Sequence, residues 1–136
     1  MTCVERCLYD YKANMATIDV LTMEKNNLKS VYAQNYEGLL NKNISSPVEE
    51  VIDRVFSIEQ KIMTVKRLTM PIEKLMIDLS GNDLCVQQMR ELLIFKYINQ
   101  EGNRITREKM AVSERTYRRR KSELLRIAKK YFYEST

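Results

Sequence analysis

Apolar side chains return along this chain at intervals of four and three, the spacing that gathers them on one side of an α-helix. Val4, Leu8, Tyr11, Met15 and Ile18 form a narrow, coiled-coil-like stripe in a helix predicted from Val4 to about Asn27. The stripe weakens at Glu24, Lys25, Asn26 and Asn27. Asn35 to Ser46 lacks the period, is rich in Asn and reads as a loop, with a short turn around Leu39 and Leu40. The next boundary is sharper. Ser46-Pro47-Val48-Glu49 sets a Ser at the N-cap, Pro at the first helical position and Glu three residues on. The Ser and Glu side chains can satisfy free N–H groups, and Pro lacks only an N–H that had no partner. From there a second stripe runs Val51, Val55, Ile58, Ile62 and Val65, with Phe56 alongside.

Pro71 removes a donor and crowds the preceding turn, at about 3 kcal/mol in a helix interior. The pattern therefore predicts that the helix ends, kinks or restarts near Leu68–Met70. A further phase, Ile72, Leu75, Met76 and Leu79, runs to the stop signal Ser80-Gly81-Asn82-Asp83. The two long stripes predict an antiparallel helical hairpin over residues 1–83. Each helix buries its apolar face against the other, or against a second copy in a homodimer.

Residues 84–136 read as three helices. The first spans about Leu84 to Ile98, with Met89, Leu92, Leu93, Lys96 and Tyr97 on its inner face, and Asn99 to Asn103 is a turn. A short helix then reaches Ala111, and a long terminal one follows Ser113, an N-cap residue backed by the acid Glu114. At 100° per residue, Tyr117, Leu124, Ala128 and Tyr131 fall within about 40° of one direction, which defines a buried stripe. Arg115, Arg119, Ser122 and Arg126 fall on the opposite face, flanked by Arg118 and Lys129. Like charges at such spacings repel by a few tenths of a kcal/mol per pair, roughly, and a polyanion would turn that cost into attraction. The expected fold is all-α, a helical hairpin followed by a helix-turn-helix module.

Composition agrees. Three Gly and two Pro in 136 residues leave little material for tight turns, which favours helices over short strands. The net charge of +5 is segregated: residues 1–83 hold 10 Lys/Arg against 12 Asp/Glu, residues 84–136 hold 13 against 6. A basic module joined to a near-neutral arm is the electrostatic footprint of nucleic-acid binding. No stretch approaches the ~18 apolar residues of a membrane span. The start, with Glu5 and Arg6 and no apolar run, does not read as a signal peptide. The expectation is a cytoplasmic protein.

Candidate chemistry is sparse. The chain has no His, which removes Ser-His, Cys-His and His-metal arrangements. Cys3, Cys7 and Cys85 make neither a disulfide framework nor a four-ligand zinc site, and Cys7 and Cys85 read as small packing residues. Gly38, Gly81 and Gly102 are isolated, so no phosphate loop is present. The eight Met, several on the stripes, read as core filler. The expectation is a binding protein without cofactor or metal, not an enzyme.

Ser113-Glu114-Arg115-Thr116-Tyr117-Arg118-Arg119-Arg120-Lys121 resembles a segment of the ArpU/RinA group of late transcription regulators from phages of Gram-positive bacteria. Leu92 to Ile98 and Leu124-Leu125 through Tyr131 are similar to the helices on either side. The resemblance covers residues 46–136 loosely and 89–131 best. It implies a module like the promoter-reading fourth region of sigma factors, activating late phage or prophage genes, with RNA polymerase as a possible second partner. The chain departs from the group at Ala111, where a turn Gly is usual, and is about two residues short between Gly102 and Ser113. The short helix therefore begins either at Asn103, with Arg107 at a normally packed position, or at Thr106. Thr106 as N-cap, with Met110 and Ala111 packed, is the preferred register. Arg120 lies where an aliphatic residue is usual and must snorkel.

The partner expected is double-stranded DNA. Base-reading candidates are Glu114, Arg115, Thr116, Arg118, Arg119 and Ser122, and phosphate-holding candidates are Arg104, Arg107, Lys109, Lys121, Arg126 and Lys129. Arg can fork onto guanine O6 and N7, and each phosphate neutralised releases a counterion. The alternative is a DNA-recognising phage packaging subunit assembled through its helical arm, expected as a ring-like oligomer where a regulator is a monomer or dimer.

Overall fold

The computed structural model describes residues 1–41 and 46–134, with side chains described for residues 1–31 and 49–133. Among the described residues the fold is all-α, with no strand. Helix α1 spans Cys3–Asn41 and α2 Ser46–Asp78; α3, Leu84–Leu92, runs into a π-helical segment, Leu93–Ile98; α4 spans Asn103–Met110 and α5 Glu114–Glu134. None of these helices is long and apolar enough to cross a membrane.

Two long-helix expectations change. Residues 35–41, read as loop, continue α1. Extending a helix already nucleated adds one hydrogen bond per residue fixed, and that outweighs Gly38, which costs about 1 kcal/mol in a helix interior. Residues 42–45 of the expected loop lie outside the described residues. So do the side chains of Ser46, Pro47 and Val48 in the capping motif, although α2 does begin at Ser46. At Pro71 the helix neither ends nor restarts, for α2 runs through to Asp78. Proline leaves the Arg67 carbonyl without its usual donor, but Pro71 is buried, as are Thr69, Ile72 and Leu75. The apolar packing of that turn offsets the missing bond.

The chain divides into two compact units, Met1–Ala13 with Leu68–Thr136, and Asn14–Arg67. That division falls inside α1 and α2 rather than after Asp83, where charge and turn signals suggested a boundary. In the first unit the core holds Leu8 of α1, Ile72, Leu75 and Leu79 from the end of α2, Met89, Leu92, Leu93 and Tyr97 of α3 and the π segment, Met110 of α4, and Tyr117, Leu124 and Ala128 of α5. The inner face expected for residues 84–98 is the one observed. In the second unit a much smaller cluster gathers Ile18 of α1 with Ile58 and Ile62 of α2, flanked by Met15, Leu21, Leu28 and Val65. Met89 and Met110 fill core positions as expected, whereas Met23, Met63 and Met70 are exposed.

The widened turn at Leu93–Ile98 has no sequence signal, because a six-residue apolar pattern does not separate a π turn from an α turn. It closes with Asn99 N–H donating to the Ile94 carbonyl (2.8 Å) and Glu101 N–H to that of Phe95 (3.0 Å). Gln100 between them takes a positive φ of 59°, and its side-chain amide donates to the Tyr9 carbonyl of α1 (2.9 Å).

Candidate nucleic-acid interface

Helix α4 begins at Asn103 with Gly102 at its N-cap, so the preferred register with Thr106 at the cap is not the one adopted. Thr106 is fully buried one turn inside the helix. The Asn103 side chain explains the earlier start. Its Oδ1 accepts from Tyr117 Oη (2.6 Å) and from the Lys96 ammonium, which ties the first turn of α4 to α5 and to the π segment. Lys96 is itself buried, with its charge over the rings of Tyr9 and Tyr97 at 5.7 and 5.5 Å. Arg107 then falls at the normally packed position and stays partly exposed.

Helix α4 ends on Ala111 in the left-handed region, φ 56° and ψ 45°. Ala111 N–H donates to the Glu108 carbonyl (3.1 Å) and Val112 N–H to that of Arg107 (3.5 Å), the bond pattern of a Schellman turn. Ala111 is exposed rather than packed, while Met110 is buried as expected. Two residues later Ser113 caps α5: its Oγ accepts from Thr116 N–H (3.2 Å) and donates to Thr116 Oγ1 (3.1 Å). Thr116 is thereby committed to the cap and half-buried.

Tyr117, Leu124 and Ala128 anchor α5 in the core. Tyr131, half-buried, donates its hydroxyl to the Asp78 carboxylate. The opposite face is the expected one, with Arg115, Arg118, Arg119, Ser122, Arg126 and Lys129 all exposed. Arg115, Arg119 and Arg126 have no ion pair among the described residues. Lys129 lies over the Tyr133 ring at 5.7 Å.

The remaining candidates are held by carboxylates. Arg104, Arg107, Arg118 and Lys121 line one depression with Asn103, Tyr117 and Glu114. Glu114 accepts from Arg118 (2.7 Å) and faces Arg107 (3.8 Å), and Arg104 pairs with Glu108 (3.6 Å). Lys121 reaches back to Glu5 of α1 (3.4 Å). Lys109 is placed elsewhere, bound to Glu101 (2.5 Å) and over the Phe95 ring at 5.3 Å. Arg120 is tied down by Gln88 through Nε (2.7 Å) and by Glu123 (3.2 Å). With its side chain only 12% exposed, the guanidinium is held by these partners rather than carried out to water, so the snorkelling expected of it is not what is observed.

Glu5 has no signal in the sequence, since its partners are about a hundred residues away. It is nearly buried and accepts from Tyr97 Oη (3.0 Å) as well as from Lys121. Burial alone would raise its carboxyl, but the Tyr97 hydrogen bond and the Lys121 charge outweigh that and hold it below its ordinary value. The Tyr97 hydroxyl is pushed far up by burial and by the Glu5 charge, and Tyr117 is raised mainly by burial.

Among the described residues no cluster of Cys, Asp and Glu is arranged to hold a metal ion. Comparison of the chain with protein-family models, with curated proteins and with solved structures finds no match.

Proposed function

We propose that this chain is a sequence-specific duplex-DNA-binding regulator in which α4 and α5 act as a helix-turn-helix and the outer face of α5 enters the major groove. The observation that carries the reading is the division of α5. Tyr117, Leu124 and Ala128 are buried while Arg115, Arg119, Ser122 and Arg126 project from the other side, so a rigid helix presents unpaired guanidinium groups at spacings of four and seven. The three residues Ala111 to Ser113 between α4 and α5 match the short connection such modules use. The segregated positive charge supports the same partner. Arg115, Arg118 and Arg119 are the base readers in this account, and Arg126, Lys129, Arg104 and Arg107 hold phosphates. Control of late phage genes, and a contact with RNA polymerase, follow only from the resemblance to the ArpU/RinA group.

The test is selection of bound duplexes from a random pool at two salt concentrations, followed by Arg119→Ala on the enriched site. If Arg119 forks onto a guanine, the variant loses about 1–3 kcal/mol and discrimination relaxes at one base pair. No enriched sequence at physiological salt overturns the regulator reading.

A further inference from the structure

We propose that the depression between α4 and the flank of α5 is a binding site for the diphosphate group of a small ligand. Among the residues lining it are Arg104 and Arg107 of α4, Arg118 and Lys121 of α5, and one carboxylate, Glu114. Cations drawn from two helices into one concave place attract an anion more strongly than the same cations spread over a surface. Glu114 shows how an anion is received there. Its Oε1 meets Arg118 at 2.7 Å and its Oε2 meets Arg107 at 3.8 Å, so the carboxylate occupies the place of an oxyanion shared by both helices. It is a weak occupant. The Arg118 and Glu114 side chains are 77 and 59% exposed, and water-exposed pairs of this kind contribute little. A phosphate group, with more charge and more acceptor oxygens than a carboxylate, displaces it.

The uncharged part of the lining is held in one arrangement. Tyr117 is buried and donates its hydroxyl to Asn103 Oδ1 (2.6 Å), and the same oxygen accepts from the buried Lys96 ammonium. An ammonium only donates, so the Asn103 amide can meet Lys96 with its oxygen alone. The amide nitrogen is thereby turned the other way and makes no hydrogen bond among the described residues, and Asn103 lines the depression. A fixed amide donor together with three guanidinium groups and an ammonium suits an anion with many acceptor oxygens. The volume, about 340 Å³, belongs to the small end of ligand sites. A DNA backbone phosphodiester brings a single charge to such a place, whereas a diphosphate concentrates more charge and more free oxygens within it. The site does not rest on the reading of α5. Its consequence does, because Arg104, Arg107 and Arg118 are offered to the duplex in that reading and a bound diphosphate would compete for them.

The experiment titrates the full chain with inorganic pyrophosphate, and separately with inorganic phosphate, by calorimetry in about 0.15 M chloride. The wild type should bind pyrophosphate at a single site, roughly tenfold or more tightly than phosphate. Arg107→Gln and Arg118→Gln should each weaken that binding about tenfold. Lys130→Gln, the same loss of charge at an exposed position of α5 outside the depression, should leave it unchanged. Glu114→Gln should tighten it several-fold, a gain that a misfolded variant cannot give. Equal affinity for pyrophosphate and phosphate overturns the proposal. So does a loss in Lys130→Gln as large as that in Arg107→Gln, the mark of diffuse counterion attraction, or a Glu114→Gln variant no tighter than the parent. A depression that seats only a backbone phosphate gives a different pattern, in which Arg107→Gln and Arg118→Gln weaken duplex binding while the wild type holds pyrophosphate no better than phosphate. That outcome overturns the diphosphate site and keeps the reading of α5. The titrations contain no DNA, so a failure to enrich any duplex sinks the regulator reading alone.

Discussion

Replacing Ala111 with Gly should stabilise the protein, although it removes a methyl group and adds no contact. Ala111 holds φ 56° and ψ 45°, a region in which the Cβ of an L-residue crowds the following carbonyl at about 1–2 kcal/mol. Glycine meets no such crowding, but it enlarges the freedom of the unfolded chain by about 0.4–1 kcal/mol. Ala111 is exposed, so no packing is lost and the two terms decide the outcome. The net expected is a gain of about 0.5–1 kcal/mol, or a few degrees in Tm. Urea unfolding followed by tyrosine fluorescence measures it well, since the chain has no Trp. Six of its eight tyrosines, all but Tyr32 and Tyr36, lie in the unit that contains Ala111. The midpoint should rise with the slope unchanged. Ala128→Gly makes the same chemical change at a fully buried position in right-handed helix, and should lower stability by about 1 kcal/mol or more. An Ala111→Gly variant no more stable than the parent refutes the left-handed turn between α4 and α5.

Glu114→Gln should tighten binding to duplexes of any sequence several-fold at low salt, because Arg107 and Arg118 lose the carboxylate that competes with phosphate for them. The gain should shrink as salt rises. A loss confined to one base position would show instead that Glu114 reads a base. Glu5 has a carboxyl held below its ordinary 4.5. Its stabilisation is therefore fully present above that pH and disappears as pH falls through the lowered value. Acid unfolding of Glu5→Gln should accordingly be flatter below about pH 4.5 than that of the parent, and equal slopes would remove Glu5 from the balance.

How much of the candidate site was legible depended on how far apart the interacting residues lie. The outer face of α5 was readable because Arg115, Arg119, Ser122 and Arg126 differ from Tyr117, Leu124 and Ala128 only by rotation about one helix axis, and 3.6 residues per turn is a local property. The Ser113 cap was readable for the same reason, since donor and acceptor are three residues apart. The start of α4 was not. Both registers had a plausible first turn, and the choice fell to Asn103, whose carbonyl oxygen is wanted by Lys96 and by Tyr117, fourteen residues away. Pro71 misled in a similar way, because local chemistry argues for a break while burial of that turn argues for continuation.

The sequence by itself determined that this protein is helical, that its positive charge is concentrated after residue 83, and that α5 has one apolar and one basic face. Periodicity and composition are sums over neighbours, and neighbours are what a sequence records. Only the tertiary structure decided which cations are available. Arg119 and Arg120 are adjacent and chemically identical, yet one is exposed with no ion pair among the described residues and the other is bound to Gln88 and Glu123. Lys121 is drawn toward Glu5 of α1, and Lys109 toward Glu101. An ion pair forms where folding brings two charges within about 4 Å and removes competing water. That proximity is set by how α1, α3, α4 and α5 pack around Leu92, Leu93 and Tyr97, not by any spacing along the chain.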